Sequence, residues 1–180
     1  MKKALLLLAA ALPAFAQQTF DFKTLDKLGA KAKEFINIDL DGDTLKAAGS
    51  FLVSDNASLK PVVDNLKGVY VRSYAFEQDG QYANSDLEPL RAYIKTLQWS
   101  KIADVKEDKE TSEIYVKPLP NNRLGGLAII DAEPREVNVI YITGDLSMTD
   151  LAKLNGNFGI PDMKFLHDDK KSGKKSTDKR

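Results

Sequence analysis

Few residues in this chain have reactive chemistry, and their spacing limits what each can do. Asp39, Asp41 and Asp43 flank Gly42 and resemble part of a calcium loop. An EF-hand loop needs glycine in the sixth position and glutamate in the twelfth. Counted from Asp39, Gly42 stands fourth and Ser50 twelfth. A strand-to-helix turn with Asp43 as N-cap accounts for all three carboxylates. Glu133 and Glu136 have the residue type for acid–base work on a glycosidic bond. They flank Pro134-Arg135, where solvated turn carboxylates are ordinary. His167, the single histidine, lies in the predicted tail, away from any fixed serine or carboxylate with which it could form a triad. Gly125-Gly126 precedes a strand pattern rather than a helix, so it makes no phosphate-binding loop. No H-E-x-x-H, G-x-S-x-G or P-loop motif is present. With no cysteine, disulfides, thiolate zinc sites, iron–sulfur clusters and a cysteine nucleophile are all excluded. The residues therefore predict no catalytic group, no metal site and no cofactor.

One arrangement points to binding instead. The stretch 66–76 alternates as a strand, with Val69, Val71, Ser73 and Ala75 on one side and Tyr70, Arg72, Tyr74 and Phe76 on the other. Glu113, Tyr115 and Lys117 share one side of a second strand pattern. Val137, Val139 and Tyr141 share one side of a third. If these sides coincide, the sheet shows a Tyr- and Arg-rich surface opposite its helices, and Tyr and Arg are enriched at binding hot spots. Tyr70, Arg72, Tyr74, Tyr115 and Tyr141 are the candidate binding residues. The alternative is an open sheet face on which tyrosines pair across strands for stability.

The elements that must position these residues follow from periodicity. Residues 22–33 read as a helix, 35–40 as a short strand, 43–53 as a helix and 59–66 as a short helix with Pro61 in its first turn. After the strand 66–76, Ser85 and Glu88 have capping-box spacing before an apolar stripe of Leu87, Leu90, Ile94 and Leu97. Trp99 follows and closes one edge of the core. Residues 102–106 and 113–117, then 124–132 and 137–143, read as antiparallel hairpins. A last helix begins near Ser147, and 157–161 is a closing turn. The strand–turn–helix pattern occurs twice, at 35–53 and 137–156. The fold expected is α+β, a single layer pair: a mostly antiparallel sheet of about six strands with helices on one face.

Charge and composition set the surroundings. The 180 residues contain 26 basic and 26 acidic side chains. Two basic residues lie in 1–16, and six basic and three acidic lie in 167–180, so 17–166 carries a net charge of −5. A mildly acidic body does not suit nucleic-acid binding. Lys2 and Lys3, an apolar run at 4–12, Pro13 and the Ala14-Phe15-Ala16 site make a secretory signal peptide, too short to span a bilayer. The expected organisation is a signal peptide at 1–16, one domain at 17–166 and a charged disordered tail at 167–180, with no transmembrane segment in the mature chain. The protein is then periplasmic or secreted.

The runs "LKGVYVRSYAFEQDGQY", "SDLEPLRAYIKTLQWSKIADV" and "GLAIIDAEPREVNVIYITGDLSMTDLAKLNGNFGIP", with "AKAKEFINIDLDG" before them, resemble the exported bacterial family catalogued as domain of unknown function 4252. The resemblance covers roughly residues 25–161. Its members carry signal peptides and have no assigned catalytic residues. Some are encoded near extracytoplasmic sigma factors and their antagonists, which implies a role in envelope signalling. The resulting expectation is an exported, non-enzymatic domain that binds a protein partner in the cell envelope. The rivals are a small-ligand or lipid-binding protein with a pocket between sheet and helices, and a hydrolase with an unrecognised site.

Overall fold

The computed structural model describes residues 20–154. The expected signal peptide, the turn at 157–161, His167 and the charged tail lie outside the described residues. A 3-10 turn at Phe22–Leu25 leads into α1, Asp26–Lys31. Strand β1, Glu34–Asp41, is followed by α2, Gly42–Asp55, and α3, Lys60–Asn65. Strand β2, Leu66–Ala75, precedes a 3-10 turn at Asn84–Leu87 and α4, Glu88–Thr96. Strands β3, Ser100–Glu107, β4, Glu110–Leu119, β5, Arg123–Glu133, and β6, Glu136–Leu146, then follow, with α5, Met148–Leu154, after them.

The six strands form one antiparallel sheet in the order β1-β2-β6-β5-β4-β3. The fold is α+β. Strands β3 to β6 are a meander, while β2 reaches across to pair with β6. Strands β1 and β6 therefore flank β2, and the helix after each, α2 and α5, packs on the same face.

The helices, however, are not confined to one face. Leu25, Leu28, Leu87, Leu90, Ile94 and Trp99 pack over Tyr74, Tyr115, Ile130, Val139 and Tyr141. Leu45, Val62, Leu151 and Leu154 pack over Val69, Ile114, Leu127, Ile129, Ile140 and Ile142 on the opposite face. The expected single layer pair is thus corrected to helix, sheet, helix. The physical reason lies in the central strands, which are apolar on both sides and cannot leave either one in water.

Local geometry explains the element ends. Helix α4 stops in a Schellman turn, although no glycine is there. Gln98 takes a left-handed φ of 60°, Gln98 N–H donates to the Lys95 carbonyl and Trp99 N–H reaches the Ile94 carbonyl. The turn folds Trp99 back onto the same core as Ile94. The cap before α4 differs from the Ser85–Glu88 spacing. Asp86 accepts from Ala83 N–H at 3.0 Å and from Lys31 at 2.8 Å. Asp43 does not cap α2 either. Its carboxylate is fully exposed, 3.3 Å from Lys46, and Thr44 closes the turn through the Asp41 backbone.

Candidate functional site

The aromatic face was built as the sequence implies. Register places Tyr70 opposite Tyr141, Tyr141 opposite Ala128 and Ala128 opposite Tyr115, with Arg72 and Tyr74 in the neighbouring rows. All five candidate residues share one side of the sheet. That side is not open. The N-terminal turn and helix, together with α4, cover it, and Tyr74, Tyr115 and Tyr141 are buried. Phe20 lies 4.2 Å from the Tyr141 ring, and Trp99 stacks on it at 5.1 Å. Burial first, then the neighbouring Tyr93 and Tyr70 hydroxyls, pushes Tyr141 up to about 12. Burial, then Asp41 and Asp39, raises Tyr70. Tyr74, Tyr115 and Tyr141 are part of the core, while Tyr70 is partly buried against it.

Arg72 is held by four groups. Its guanidinium pairs with Asp39 at 2.7 Å and stacks 4.1 Å from the Phe22 ring. It also donates to the Ile38 and Val71 carbonyls at 3.1 and 2.9 Å. Arg72→Ala is expected to lower stability by about 2 kcal/mol, through the lost ring contact and ion pair. Urea unfolding of the variant measures it. A change under ~0.5 kcal/mol would show the guanidinium to be incidental.

Beneath α4 lies a cluster the sequence did not reveal. Glu113, buried on β4, accepts from Arg91 Nε at 2.7 Å, Lys101 at 2.8 Å and the Tyr115 hydroxyl. Burial alone would raise the Glu113 carboxyl. The hydrogen bonds from Arg91, Lys101 and Tyr115 overcome it and hold Glu113 at about 2. Arg91 also binds Glu88 and the Asn84 side chain and carbonyl. With its oxygens engaged by three donors, Glu113 ties α4 to β4 and β3 and is not poised to move a proton.

The other carboxylates lie apart from this cluster. Glu133 and Glu136 end the β5–β6 hairpin, where Glu136 accepts from Asn138 at 2.9 Å and the Glu133 backbone carbonyl accepts from Tyr82. Burial, then Glu110 and Glu136, raises Asp131 and Glu133. Among the described residues no group of three or more His, Asp or Glu is placed to hold a metal ion. No described helix is long and apolar enough to cross a membrane.

Among the described residues, large apolar side chains are exposed on the β1 edge, on α2 at Phe51 and on the β3 edge at Ile102 and Val105. Phe35, Ile36 and Ile38 are 62%, 57% and 39% exposed. The backbone hydrogen bond from Phe76 to Arg135 fixes which groups of β2 point to β6: those of the even residues. The odd residues of β2 then serve β1, where they meet Glu34, Ile36, Ile38 and Leu40. The N–H and C=O groups of Phe35, Asn37 and Asp39 therefore point out of the sheet. The opposite edge, β3, is guarded by Lys101, Lys106 and a register shift between Lys101 and Ala103. Strand β1 has no lysine, proline or bulge.

A family model described as a domain of unknown function (DUF4252) matches residues 26–154, from the first turn of α1 to the last residue of α5. The chain belongs to the DUF4252 family. No curated protein and no solved structure matches the chain. The matched span of this DUF4252 domain holds the whole six-stranded sheet, the Glu113 cluster and the β1 edge. Sequence reasoning placed β1 but not its position in the sheet. The available signal was the run of Phe35, Ile36, Ile38 and Leu40 without a lysine or proline to guard an edge.

A second feature is a groove of about 1630 Å³ between α2, α3 and the end of the sheet. Leu45, Val63, Leu66, Tyr70 and Tyr141 line it, with Lys67 and Lys117 among them.

Proposed function

We propose that this DUF4252 protein is exported and acts in the cell envelope as a non-enzymatic interaction domain. It takes an extended strand of a protein partner at the edge of β1. The observation that carries this reading is the unguarded β1 edge, with free backbone groups at Phe35, Asn37 and Asp39 beside exposed Phe35, Ile36 and Ile38. Backbone pairing supplies affinity in such strand addition, and alternate side chains supply specificity. The basic, apolar and A-x-A pattern of residues 1–16 supports export. Work in envelope signalling is part of the proposal and rests on the family resemblance. The groove beside α2 favours a second reading, a small amphiphilic ligand, which native mass spectrometry of the purified protein would detect as retained mass.

Affinity capture from an envelope extract tests the edge. Ile36→Lys changes a side chain that is 57% exposed, so its melting temperature is expected within about 2 °C of the wild type. Its captured partner is expected to fall about tenfold or more, since a lysine disfavours edge pairing. Equal capture by both proteins would overturn the reading.

A further inference from the structure

The face that carries α2, α3 and α5 is only half covered. Their apolar side chains pack over one half, around Val69, Ile142, Leu127, Ile129 and Ile140. The next row across the six strands is Ile36, Ser73, Asn138, Asp131, Ser112 and Val105, and each of them is partly or fully exposed. Two residues further along each strand the same face turns acidic. Glu34 stands beside Ala75, Ala75 beside Glu136 and Glu136 beside Glu133, while Glu107 stands opposite Glu110. No lysine or arginine occurs in either row. Among the described residues no ion pair includes any of the five glutamates or Asp131.

Two of these contacts run against the usual rule for a sheet. Glu133 faces Glu136, and Glu107 faces Glu110, although like charges directly opposite destabilise a strand pair. Burial and the neighbouring Glu110 and Glu136 carboxylates raise Asp131 and Glu133, so these charges feel one another. A row of cations laid over the face would relieve that repulsion.

We propose that the chain covers this open half of its own sheet with the lysine run at 170–175, laid across the glutamate row from strand to strand. The run is Lys-Lys-Ser-Gly-Lys-Lys, four cations in six residues with no acid between them. It lies outside the described residues, but the point from which the chain sets out towards it does not. Leu154, the end of α5, is buried in the same cluster as Ile142. From Ile142 to Glu136 is six residues of β6, about 20 Å. Lys170 follows Leu154 by sixteen residues, which reach at most about 55 Å. The lysines can therefore arrive at the glutamates along the face on which α5 lies, without rounding an edge of the sheet. Being tethered, they need only weak attraction to hold, because the effective concentration of one part of a chain near another is high. The face is then occupied by the chain itself and becomes open to an outside cationic segment only when the lysine run leaves it. This surface is separate from the backbone edge of β1.

The absence of cysteine makes the test direct. Ser172→Cys in the full chain puts one nitroxide label in the middle of the lysine run. In nuclear magnetic resonance spectra the amides of Asn138, Asp131 and Ser112 are expected to lose most of their signal to the label, and those of Leu90 and Ile94 on α4 to keep theirs. Combining Glu110→Gln, Glu133→Gln and Glu136→Gln is expected to restore the lost signals. So is about 1 M salt on the otherwise unchanged chain, which shortens the screening length to about 3 Å and needs no variant to fold. Undiminished signals at Asn138, Asp131 and Ser112 would overturn the proposal. Losses that persist both in salt and in the glutamine variant would overturn the charge pairing on which it stands. Losses of equal size in a second, unlabelled copy mixed with the labelled one would show that the run serves a neighbour and not its own sheet, and would overturn it as well.

Discussion

Gly126→Ala is expected to destabilise the protein by about 3 kcal/mol, lowering the melting temperature by roughly 10 °C. Gly126 lies in β5 beside a register shift, opposite Thr143 and Lys117. A Cβ there would run into the Ile142 backbone carbonyl and stand 2.8 Å from the Trp99 ring. Trp99 could give way only by leaving Tyr141, on which it stacks. The carbonyl belongs to the next strand and cannot move without breaking the ladder. Glycine in a strand interior marks such close approach. Urea unfolding followed through Trp99, the single tryptophan, measures both stability and ring environment. Trimming the ring in Gly126→Ala/Trp99→Phe should not rescue stability, because the carbonyl still blocks the site. A single variant within 2 °C of the wild type would refute the packing.

Glu113→Ala is expected to cost about 3 kcal/mol at neutral pH, since it leaves Arg91 and Lys101 charged beneath α4 without their shared carboxylate. Its pH dependence follows from the folded carboxyl at about 2 against an ordinary 4.5. A carboxyl held low when folded stabilises the protein fully above its unfolded value, and the contribution fades as pH falls from about 5 towards 2. On the order of 2–3 kcal/mol should disappear across that window, read from urea midpoints at successive pH values. Asp131 and Glu133 have the opposite sign. Raised when folded, they protonate first in the native state and add stability as the pH drops through their folded values. Stability should therefore rise slightly before the acid loss begins. Glu113→Gln should flatten the loss while leaving the rise. A wild type equally stable at pH 2 and pH 5 would be incompatible with the cluster.

Much of the chain order was legible because it is local. The Glu133-Pro134-Arg135-Glu136 turn sits where alternation breaks, and β5 and β6 meet there in register. The sides of Tyr70, Tyr115 and Tyr141 could be read from period two alone, and the sheet does align them. What covers that side could not be read, because it depends on which helix crosses which face. A signal existed in Leu127-Ala128-Ile129-Ile130. An unbroken apolar run of this kind belongs to a strand buried on both sides, not to one with an open aromatic face. Arg72 was read as surface because its partner, Asp39, is on another strand. Glu113 was read as a neighbour of Tyr115 on a face, and the cation that buries with it, Arg91, comes from a helix. Long-range pairings of charge carry no periodicity, so the sequence pattern does not announce them.

The position of β6 also governs how the molecule is made. It is the last of the described strands, yet it lies in the interior of the sheet between β2 and β5. Until it exists, the β1–β2 pair has nothing to add to, and Tyr70 must wait for Tyr141. The meander from β3 to β6 can close through short turns, whereas bringing β2 to β6 requires closing a long loop. A chain appearing N-terminus first holds the β6-facing side of β2 unpaired from residue 75 until residue 136. Interruption between β5 and β6 leaves two fragments of sheet, β1-β2 and β3-β4-β5, with no strand to join them.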